Sequence, residues 1–533
     1  MMRRLMLALG LFLAAPASAQ VVDRPAGDPV RTTDGLVAGK ILKSGVRAWL
    51  GVPFAAPPVR DLRWRDPQPH ARWDGVWNAD RFAPECIQPL RARNINHYFG
   101  EEATSEDCLY LNIWAPPGPA PAGGYPVVAW IYGGGFNIGS ASMANYAGDA
   151  LAAKGVVYIA IAYRVGPLGF LAHPALSAEN GGKSGNYGLK DQVAALQWIK
   201  ANIAGFGGNP GHVTIAGQSA GSMAVSLLQA SPAARGLFQR AVGMSGGAFG
   251  GMAAPAPLKD AEAEGLALQQ ALGATSIEQM RDLPADQLIA RAAPVRRRPI
   301  VIDGDVVTEI PTSAFAAGRQ NDVPLLLGFT RDENFRSLGP IATVADYDAA
   351  VRRAFPANAA TILQRYPART PQEAQRQARD IERDSTLNTQ MAQWALAQSA
   401  TGKAPVHAWF FTRVHPYRPG VPFADHDPAT VGAYHSGDIP YWLGTLDSLN
   451  RFRITRDWTA VDQGLSTEMM DSLIAFARTG DPGPNWPAFT RARPKVLQLG
   501  DTRSVIPWPH FADWPLFGDA PPPLPGERPR IRD

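Results

Sequence analysis

Short apolar runs divide the chain and predict its strands. The runs at 127–132 and 156–163 are rich in β-branched and aromatic residues and are bounded by glycine and proline, which is typical of buried strands. The predicted strands cover residues 127–132, 156–163, 213–216, 240–244 and 324–328.

Helical spacing appears between these runs. Between residues 186 and 203, apolar side chains recur every three or four positions, which predicts a helix just before strand 213–216. Small and apolar residues from Ala220 onward predict a second helix just after it. The apolar positions of the first helix are Leu189, Val193, Leu196, Ile199 and Ile203. Strands that alternate with helices indicate an α/β fold with a large, mostly parallel central sheet flanked by helices.

Residues 1–19 have the pattern of a secretory signal peptide. Arg3 and Arg4 precede an apolar run over 5–15, and small residues at 17–19 precede Gln20. The run is too short to span a bilayer, so cleavage after Ala19 is expected. The protein is therefore predicted to be exported, either to the periplasm or out of the cell. No linker or membrane anchor is apparent later, and residues 20–533 are interpreted as one domain.

Charge and composition narrow the class of partner. The 533 residues carry a formal net charge of +4 at pH 7, of which Arg3 and Arg4 belong to the leader, and no lysine-rich run is present. This excess is too small to predict nucleic-acid binding. With 46% hydrophobic residues and 14 tryptophans, the chain can bury a large core.

Only two cysteines occur, Cys86 and Cys108. In an exported chain they predict a disulfide, and two buried free thiols are the alternative. Neither cysteine has a second cysteine or a histidine at ligand spacing, so a metal site is not expected.

A Gly-x-Ser-x-Gly turn at 217–221 joins strand 213–216 to the helix from Ala220. The two glycines allow a sharp turn that exposes Ser219 at the end of the sheet, as a nucleophile requires. Residues 243–247 match the same motif around Ser245. Glycines and a proline follow Ser245, so no helix can start promptly there, and Ser219 is the predicted nucleophile.

A run of three glycines, 133–135, directly follows strand 127–132. Their N–H groups are uncovered by side chains, so Gly134 and Gly135, with Ala220 just after the nucleophile, could form an oxyanion hole. A flexible glycine turn is the alternative.

Further motifs occur in a fixed order along the chain. They are Phe54-Ala55-Ala56-Pro57-Pro58 with Leu62-Arg63-Trp64, then Glu106-Asp107-Cys108-Leu109-Tyr110-Leu111-Asn112-Ile113-Trp114, then Phe206-Gly207-Gly208-Asn209-Pro210. With the serine turn and the glycine run, they resemble the type-B carboxylesterase/lipase family, which includes the cholinesterases and secreted bacterial relatives. The resemblance extends over about residues 35–486. It implies an α/β-hydrolase fold, a small-molecule ester substrate, no cofactor and a Cys86–Cys108 disulfide.

The resemblance also places the other catalytic residues. Triad partners in this fold follow the serine as acid and then histidine. His435, in Gly432-Ala433-Tyr434-His435-Ser436-Gly437-Asp438, resembles the family histidine loop, and Glu333 follows the strand at 324–328 with Asp332 as the fallback acid. Ser245 matches a family serine thought to support the acid.

The remaining histidines and the departures from the family pattern are also informative. Apolar neighbours predict a structural role for His407, and polar neighbours predict surface positions for His415, His426 and His510. Three positions depart from the residues that are usual in the family. They are Gln218 in place of Glu, Tyr132 in place of His and Asn334 in place of Gly.

The predicted reaction is ester hydrolysis through an acyl-enzyme on Ser219, with His435 as base and Glu333 holding its tautomer. Two alternatives stay open: a serine amidase or peptidase on the same fold, and a non-catalytic binding module. Arg296, Arg297 and Arg298 lie in segment 295–304, which resembles a family segment that ends in Asp-Gly. In cholinesterases the residues just before that ending line the acyl pocket. The three arginines either form a solvated turn or bind carboxylates of an anionic ester, such as the polycarboxylate fumonisins that some bacterial relatives cleave.

Overall fold

The computed structural model describes residues 24–517 except 26, 90–94, 96–101, 251–253, 296–297, 334 and 336. The predicted signal peptide therefore lies outside the described residues.

A large central sheet organises the described chain. Its strands, in chain order, are β1 (Arg24–Pro25), β2 (Lys40–Ile41), β3 (Arg47–Pro53), β4 (Tyr110–Ala115), β5 (Tyr125–Ile131), β6 (Val157–Ile161), β7 (Gly208–Gln218), β8 (Arg240–Met244), β9 (Leu325–Thr330), β10 (Val406–Phe411), β11 (Lys495–Leu499) and β12 (Ser504–Pro507). In the sheet they lie in the order β1-β2-β3-β4-β6-β5-β7-β8-β9-β10-β11-β12. From β6 to β11 every neighbouring pair is parallel, and the antiparallel pairs lie at the two edges. The predicted mostly parallel α/β sheet is confirmed.

Helices flank the sheet. They are α1 (Asp149–Ala153), α2 (Gly166–Gly169), α3 (Pro174–Glu179), α4 (Tyr187–Asn202), α5 (Ala220–Ala230), α6 (Leu258–Leu272), α7 (Ile277–Asp282), α8 (Ala285–Ala292), α9 (Pro311–Ala316), α10 (Val344–Ala354), α11 (Ala359–Arg365), α12 (Pro371–Ser385), α13 (Leu387–Thr401), α14 (Ile439–Leu443) and α15 (Ala460–Thr479). The two helices predicted around β7 are confirmed as α4 and α5. Threonine N-caps with a carboxylate three residues later start α10, α12 and α15.

The five predicted strands are all present, with different ends. Strand β8 has the predicted bounds, whereas β7 begins at Gly208, before the apolar run at 213–216. The added residues include the exposed Gly211 and His212, so the pattern of apolar residues did not indicate that the strand starts earlier. Tyr125 pairs with Gly208 and Val127 with Val213, and the register shifts between the two pairs. Backbone pairing therefore extends the strand beyond the buried residues.

Three short sheets lie outside the central one. Val30–Arg31, Leu36–Ala38 and Val76–Asn78 form the first, Glu85–Cys86 pairs with Thr104–Ser105, and Ala256–Pro257 pairs with Val301–Ile302. Cys86 and Cys108 form the predicted disulfide, and both are buried.

No helix in the described part of the chain is long and apolar enough to cross a membrane. Within the same ranges, no group of three or more His, Cys, Asp or Glu side chains is placed to hold a metal ion.

Candidate active site

Ser219 occupies a strained turn between β7 and α5. Its φ of 57° and ψ of −124° lie in a sparsely populated region, which is commonly associated with functional positions. A Cβ on Gly221 would lie 2.0 Å from the carbonyl oxygen of Ile131, and one on Gly217 would lie 2.5 Å from Gly221. Only glycine fits at these contacts, so strand, turn and helix pack as closely as the motif predicted. The result is a serine left partly exposed.

The glycine run passes directly beside this turn. A Cβ on Gly133 would lie 2.6 Å from the carbonyl oxygen of Gln218 and 2.9 Å from Cβ of Ser219. Gly134 and Gly135 have φ values of 116° and 63°, which favour glycine, and both remain accessible. Among the described residues, no hydrogen bond from the N–H groups of Gly134, Gly135 or Ala220 is found. Three backbone donors are thus available near Ser219.

Tyr132 anchors the start of the glycine run. Its ring stacks on Tyr163 with centroids 4.3 Å apart. Each phenol donates to the backbone carbonyl of the other residue, at 2.8 Å and 2.7 Å. Burial raises the pKa of Tyr132, so the phenol stays neutral and remains a donor. This reciprocal pair holds the end of β5 against the segment that follows β6.

His435 and Glu333 form a close pair. Nδ1 of His435 lies 2.6 Å from Oε2 of Glu333, and the carboxylate is fully buried. The other oxygen, Oε1, accepts a hydrogen bond from the backbone N–H of Thr330 at 3.0 Å, which fixes the carboxylate on the end of β9. Burial alone would lower the pKa of His435, but the charge and hydrogen bond of Glu333 raise it above its ordinary value. A carboxylate held this way orients the imidazole and stabilises its protonated form.

Asp332, the fallback acid, has a different task. Its backbone N–H donates to the carbonyl of Ala433 at 3.0 Å, and the N–H of Ala433 donates to its Oδ2 at 2.7 Å. Arg331 and Arg376 form ion pairs with the same carboxylate at 2.9 Å and 3.5 Å. Asp332 therefore ties the histidine loop to the end of β9, which brings Glu333 and His435 together.

His415 was predicted at the surface, and that prediction is wrong. Its side chain is buried, with Nε2 donating to the carbonyl of Gly437 at 2.7 Å and Nδ1 lying 3.3 Å from the hydroxyl of Tyr434. It supports the loop on both sides of His435, and polar neighbours in sequence concealed this burial. His407, for which a structural role was predicted, is buried in β10. Of the other two histidines predicted at the surface, His510 is exposed and His426 is partly buried.

Three further side chains at the site were not predicted. Nε2 of Gln218 lies 3.1 Å from Nε2 of His435. The ring of Phe335, which is 48% exposed, meets the imidazole edge-on with centroids 5.2 Å apart. Asp438 is fully buried three residues after His435, and Trp409 Nε1 donates to its Oδ2 at 3.3 Å. Burial and the nearby charge of Glu333 raise the pKa of Asp438 to about 7.

Ser245 repeats part of the geometry of Ser219 on the next strand. Its φ is 52°, and its N–H donates to the carbonyl of Gly328 as that of Ser219 donates to Met244, each at 2.8 Å. Its side chain is fully buried, and within the described ranges its hydroxyl has no hydrogen-bond partner. Among the residues that the structure describes, the next helix after Ser245 is α6, which begins at Leu258. A substrate cannot reach this hydroxyl. That Ser245 supports the acid Glu333 stays a prediction.

Of the three arginines predicted to contact an anionic substrate, only Arg298 lies in the described residues. It is 48% exposed, and its Nε lies 2.9 Å from Glu264 on α6, with Asp260 at 3.8 Å. Arg298 is thus engaged at the surface. Arg296 and Arg297 lie outside the described residues.

The chain is similar in sequence and in fold to several known esterases. The model of the carboxylesterase family matches residues 27–507. The chain is 38% identical to a fumonisin B1 esterase of Sphingopyxis macrogoltabida over 88% of its own length and 86% of that protein. It is 34% identical to a para-nitrobenzyl esterase of Bacillus subtilis, over 88% and 94%. A solved PNB esterase structure superposes with a TM-score of 0.77 at 31% identity, covering 92% of this chain and 100% of that one.

Proposed function

Because the chain belongs to the carboxylesterase family and is a carboxylic ester hydrolase, we propose that Ser219, His435 and Glu333 are its catalytic triad. The observation that carries the proposal is the 2.6 Å contact between His435 Nδ1 and Glu333 Oε2. It fixes the tautomer in which Nε2 is free of a proton and can act as a base.

The reaction then proceeds in two halves. Ser219 Oγ attacks the ester carbonyl while His435 Nε2 takes its proton, and the N–H groups of Gly134, Gly135 and Ala220 stabilise the oxyanion. The carbonyl–alkoxy bond breaks, and His435 returns the proton to the departing alcohol. Water, deprotonated by His435, then attacks the acyl-enzyme and releases the acid and Ser219.

Substitution of the two serines tests the nucleophile. Ser219→Ala should lower kcat on the order of 10⁶-fold because the triad acts as a unit. Ser245→Ala is the matched control and should keep measurable turnover, since its hydroxyl is buried. Labelling of Ser245 rather than Ser219 by an organophosphate would refute the assignment.

An ester and an amide with the same acyl group separate the alternatives. We expect p-nitrophenyl acetate to be cleaved and p-nitroacetanilide to be cleaved far more slowly. Faster cleavage of the amide would favour a peptidase or amidase, and no turnover of either by correctly folded protein would favour a binding module.

We also propose that the substrate is an anionic or polycarboxylate ester. The support is the arginine run 296–298 and the relative whose name is fumonisin B1 esterase. Arginine binds carboxylates through two parallel hydrogen bonds, each charged contact contributing roughly 1.5–3 kcal/mol when desolvated. Since Arg298 already pairs with Glu264, the substrate role falls to Arg296 and Arg297.

The ratio of kcat/KM for anionic and neutral esters tests this substrate class. Arg296→Ala and Arg297→Ala should each lower the ratio, and added salt should lower it in the unsubstituted enzyme. Arg298→Ala serves as the control and should leave it unchanged. If none of the three variants alters the ratio, the arginines do not select the substrate.

We further propose that the protein is exported and begins near Gln20 as one domain. The support is the leader pattern at 1–19 and the disulfide, which an oxidising compartment favours. Mass spectrometry of protein from the periplasm or medium should find this N-terminus and no free thiol. Two alkylatable cysteines in freshly exported native protein would contradict it.

A further inference from the structure

Gln218 lies between the nucleophile and the base. It is the last residue of β7, directly before Ser219, and only 3% exposed. Its side-chain oxygen faces the glycine run, because a Cβ built on Gly133 would lie 3.0 Å from Oε1. Its side-chain nitrogen lies 3.1 Å from Nε2 of His435. The amide is therefore oriented with its donor end toward the base.

The protonation of His435 fits this orientation. Nδ1–H donates a hydrogen bond to Glu333, so Nε2 of the neutral ring carries a lone pair and accepts a hydrogen bond from the Gln218 amide. No hydrogen bond between Ser219 Oγ and His435 is found among the described residues. Gln218 is thus the partner of the basic nitrogen in this state of the site.

We propose that Gln218 is a positioning residue whose neutral amide holds His435 Nε2 between turnovers, favours its unprotonated form and releases it to Ser219 when substrate binds. The inference rests on the proposed triad and adds a determinant of base strength to it. A hydrogen bond to the neutral form of a base lowers its pKa. The amide therefore opposes the effect of Glu333.

Charges around His435 make this opposition important. Glu333 lies against Nδ1, and buried Asp438 also favours the charged imidazole. Asp332 is paired with Arg331 and Arg376. On the other side, His415 contacts the loop through the carbonyl of Gly437. A carboxylate at position 218 in place of the amide would add a further negative charge beside Nε2.

The pH dependence of kcat/KM tests the role of Gln218. His435 acts as a base only when neutral, so activity rises as pH increases through its pKa. Gln218→Glu should move this acidic limb to higher pH by about 1–3 pH units, the effect of an opposite charge at short range. Gln218→Met loses the donor without adding charge and should move the limb in the same direction by about half a unit to one unit.

A matched control isolates position 218 from charge in general. Gln463 is exposed on α15, and Gln463→Glu should leave the limb in place. The pH at the midpoint of the acidic limb should then be highest in Gln218→Glu and next highest in Gln218→Met. In the control variant it should equal that of the unsubstituted enzyme. A Gln218→Glu variant that is folded by circular dichroism and has an unshifted limb would overturn the inference.

A second measurement does not depend on turnover. The downfield proton resonance of His435 Nδ1–H, identified by its absence in His435→Gln, should titrate with the same order of midpoints. Failure of the triad itself would appear instead as full activity in Ser219→Ala. The two failures are therefore distinguishable.

Discussion

Burial of Asp438 opposes the charged form of its carboxyl group. Its carboxyl is fully buried, Oδ2 accepts only a 3.3 Å bond from Trp409, and Oδ1 has no hydrogen-bond partner in the described part of the chain. The pKa of about 7 means that the folded protein holds a proton that the unfolded chain loses near pH 4. Because the unfolded chain then binds fewer protons, stability falls as pH rises from about 4 to 7.

Asp438→Asn should remove this pH-dependent loss. The asparagine has nearly the same shape but no charge, so the variant should exceed the unsubstituted protein in stability at pH 8. A pKa raised from 3.8 to about 7 corresponds to about 4 kcal/mol at most. Denaturant titrations at pH 8 and pH 5 measure the difference, which should shrink toward the lower pH.

Asp462 supplies a contrast with the opposite sign. Burial would raise the pKa of its carboxyl, but hydrogen bonds from Arg413, Thr459 and Tyr441 lower it below the ordinary value. Asp462→Asn should therefore lose stability at pH 8 and lose less as the pH falls toward that low pKa. If both variants change stability in the same direction, burial of Asp438 is not what raises its pKa.

At the scale of elements, the contact of β5, β7 and α5 depends on two missing side chains. A Cβ at Gly221 would lie 2.0 Å from a backbone oxygen that cannot turn away. Gly221→Ala should therefore lower the free energy of unfolding by about 1–3 kcal/mol or more through overpacking, although alanine favours helices. It should also lower turnover by displacing Ser219.

Gly464 is the matched control. It lies inside α15, and a Cβ there would meet no atom within 4 Å. Gly464→Ala should stabilise the protein by about 0.5–1 kcal/mol and leave turnover unchanged. Unfolding free energies of the two variants measure the contrast, and equal effects would show that helix propensity, rather than close packing, decides both.

The elements of the site were predictable because each has a local signal. The turn at Ser219, the glycine run and the loop of His435 are contiguous motifs, and the structure places them together at one end of the sheet. Contacts between distant segments had no such signal. His415 has polar neighbours in sequence but packs beneath Gly437, and Asp332 ties the histidine loop from 101 residues away. Asp438, directly before α14, likewise contacts Trp409, which lies on β10 and is distant in sequence.

At the scale of the molecule, the disulfide supports the site as well as the fold. Gln88, two residues after Cys86, donates to the carbonyl of Gly139 and accepts from its N–H, each at 2.7 Å. Gly139 follows the glycine run closely, so the disulfide loop is attached to the segment that carries Gly134 and Gly135. By restricting the movement of Cys86, the disulfide therefore also restricts the movement of the predicted oxyanion hole.

Replacement of both cysteines by serine should show both effects. Opening a loop with 22 residues of sequence separation should cost about 3 kcal/mol. We also expect kcat to fall, because Gly139 is held less firmly. Denaturant unfolding and steady-state kinetics measure the two effects, and Gln88→Ala with the disulfide intact should reproduce only the second. An unchanged unfolding free energy in the double variant would contradict the stabilising role.

The strand order also fixes when activity can appear during folding. Ser219 follows β7, Glu333 follows β9, and His435 comes after β10, so the site exists only once these strands have paired. The groups that contact His435 lie 102 and 217 positions away along the chain. Contacts of such long range form slowly, whereas local helices form within microseconds. During refolding, helical circular dichroism should therefore recover early and ester cleavage late, and a nascent chain should stay inactive until the segment containing His435 has been made and has docked.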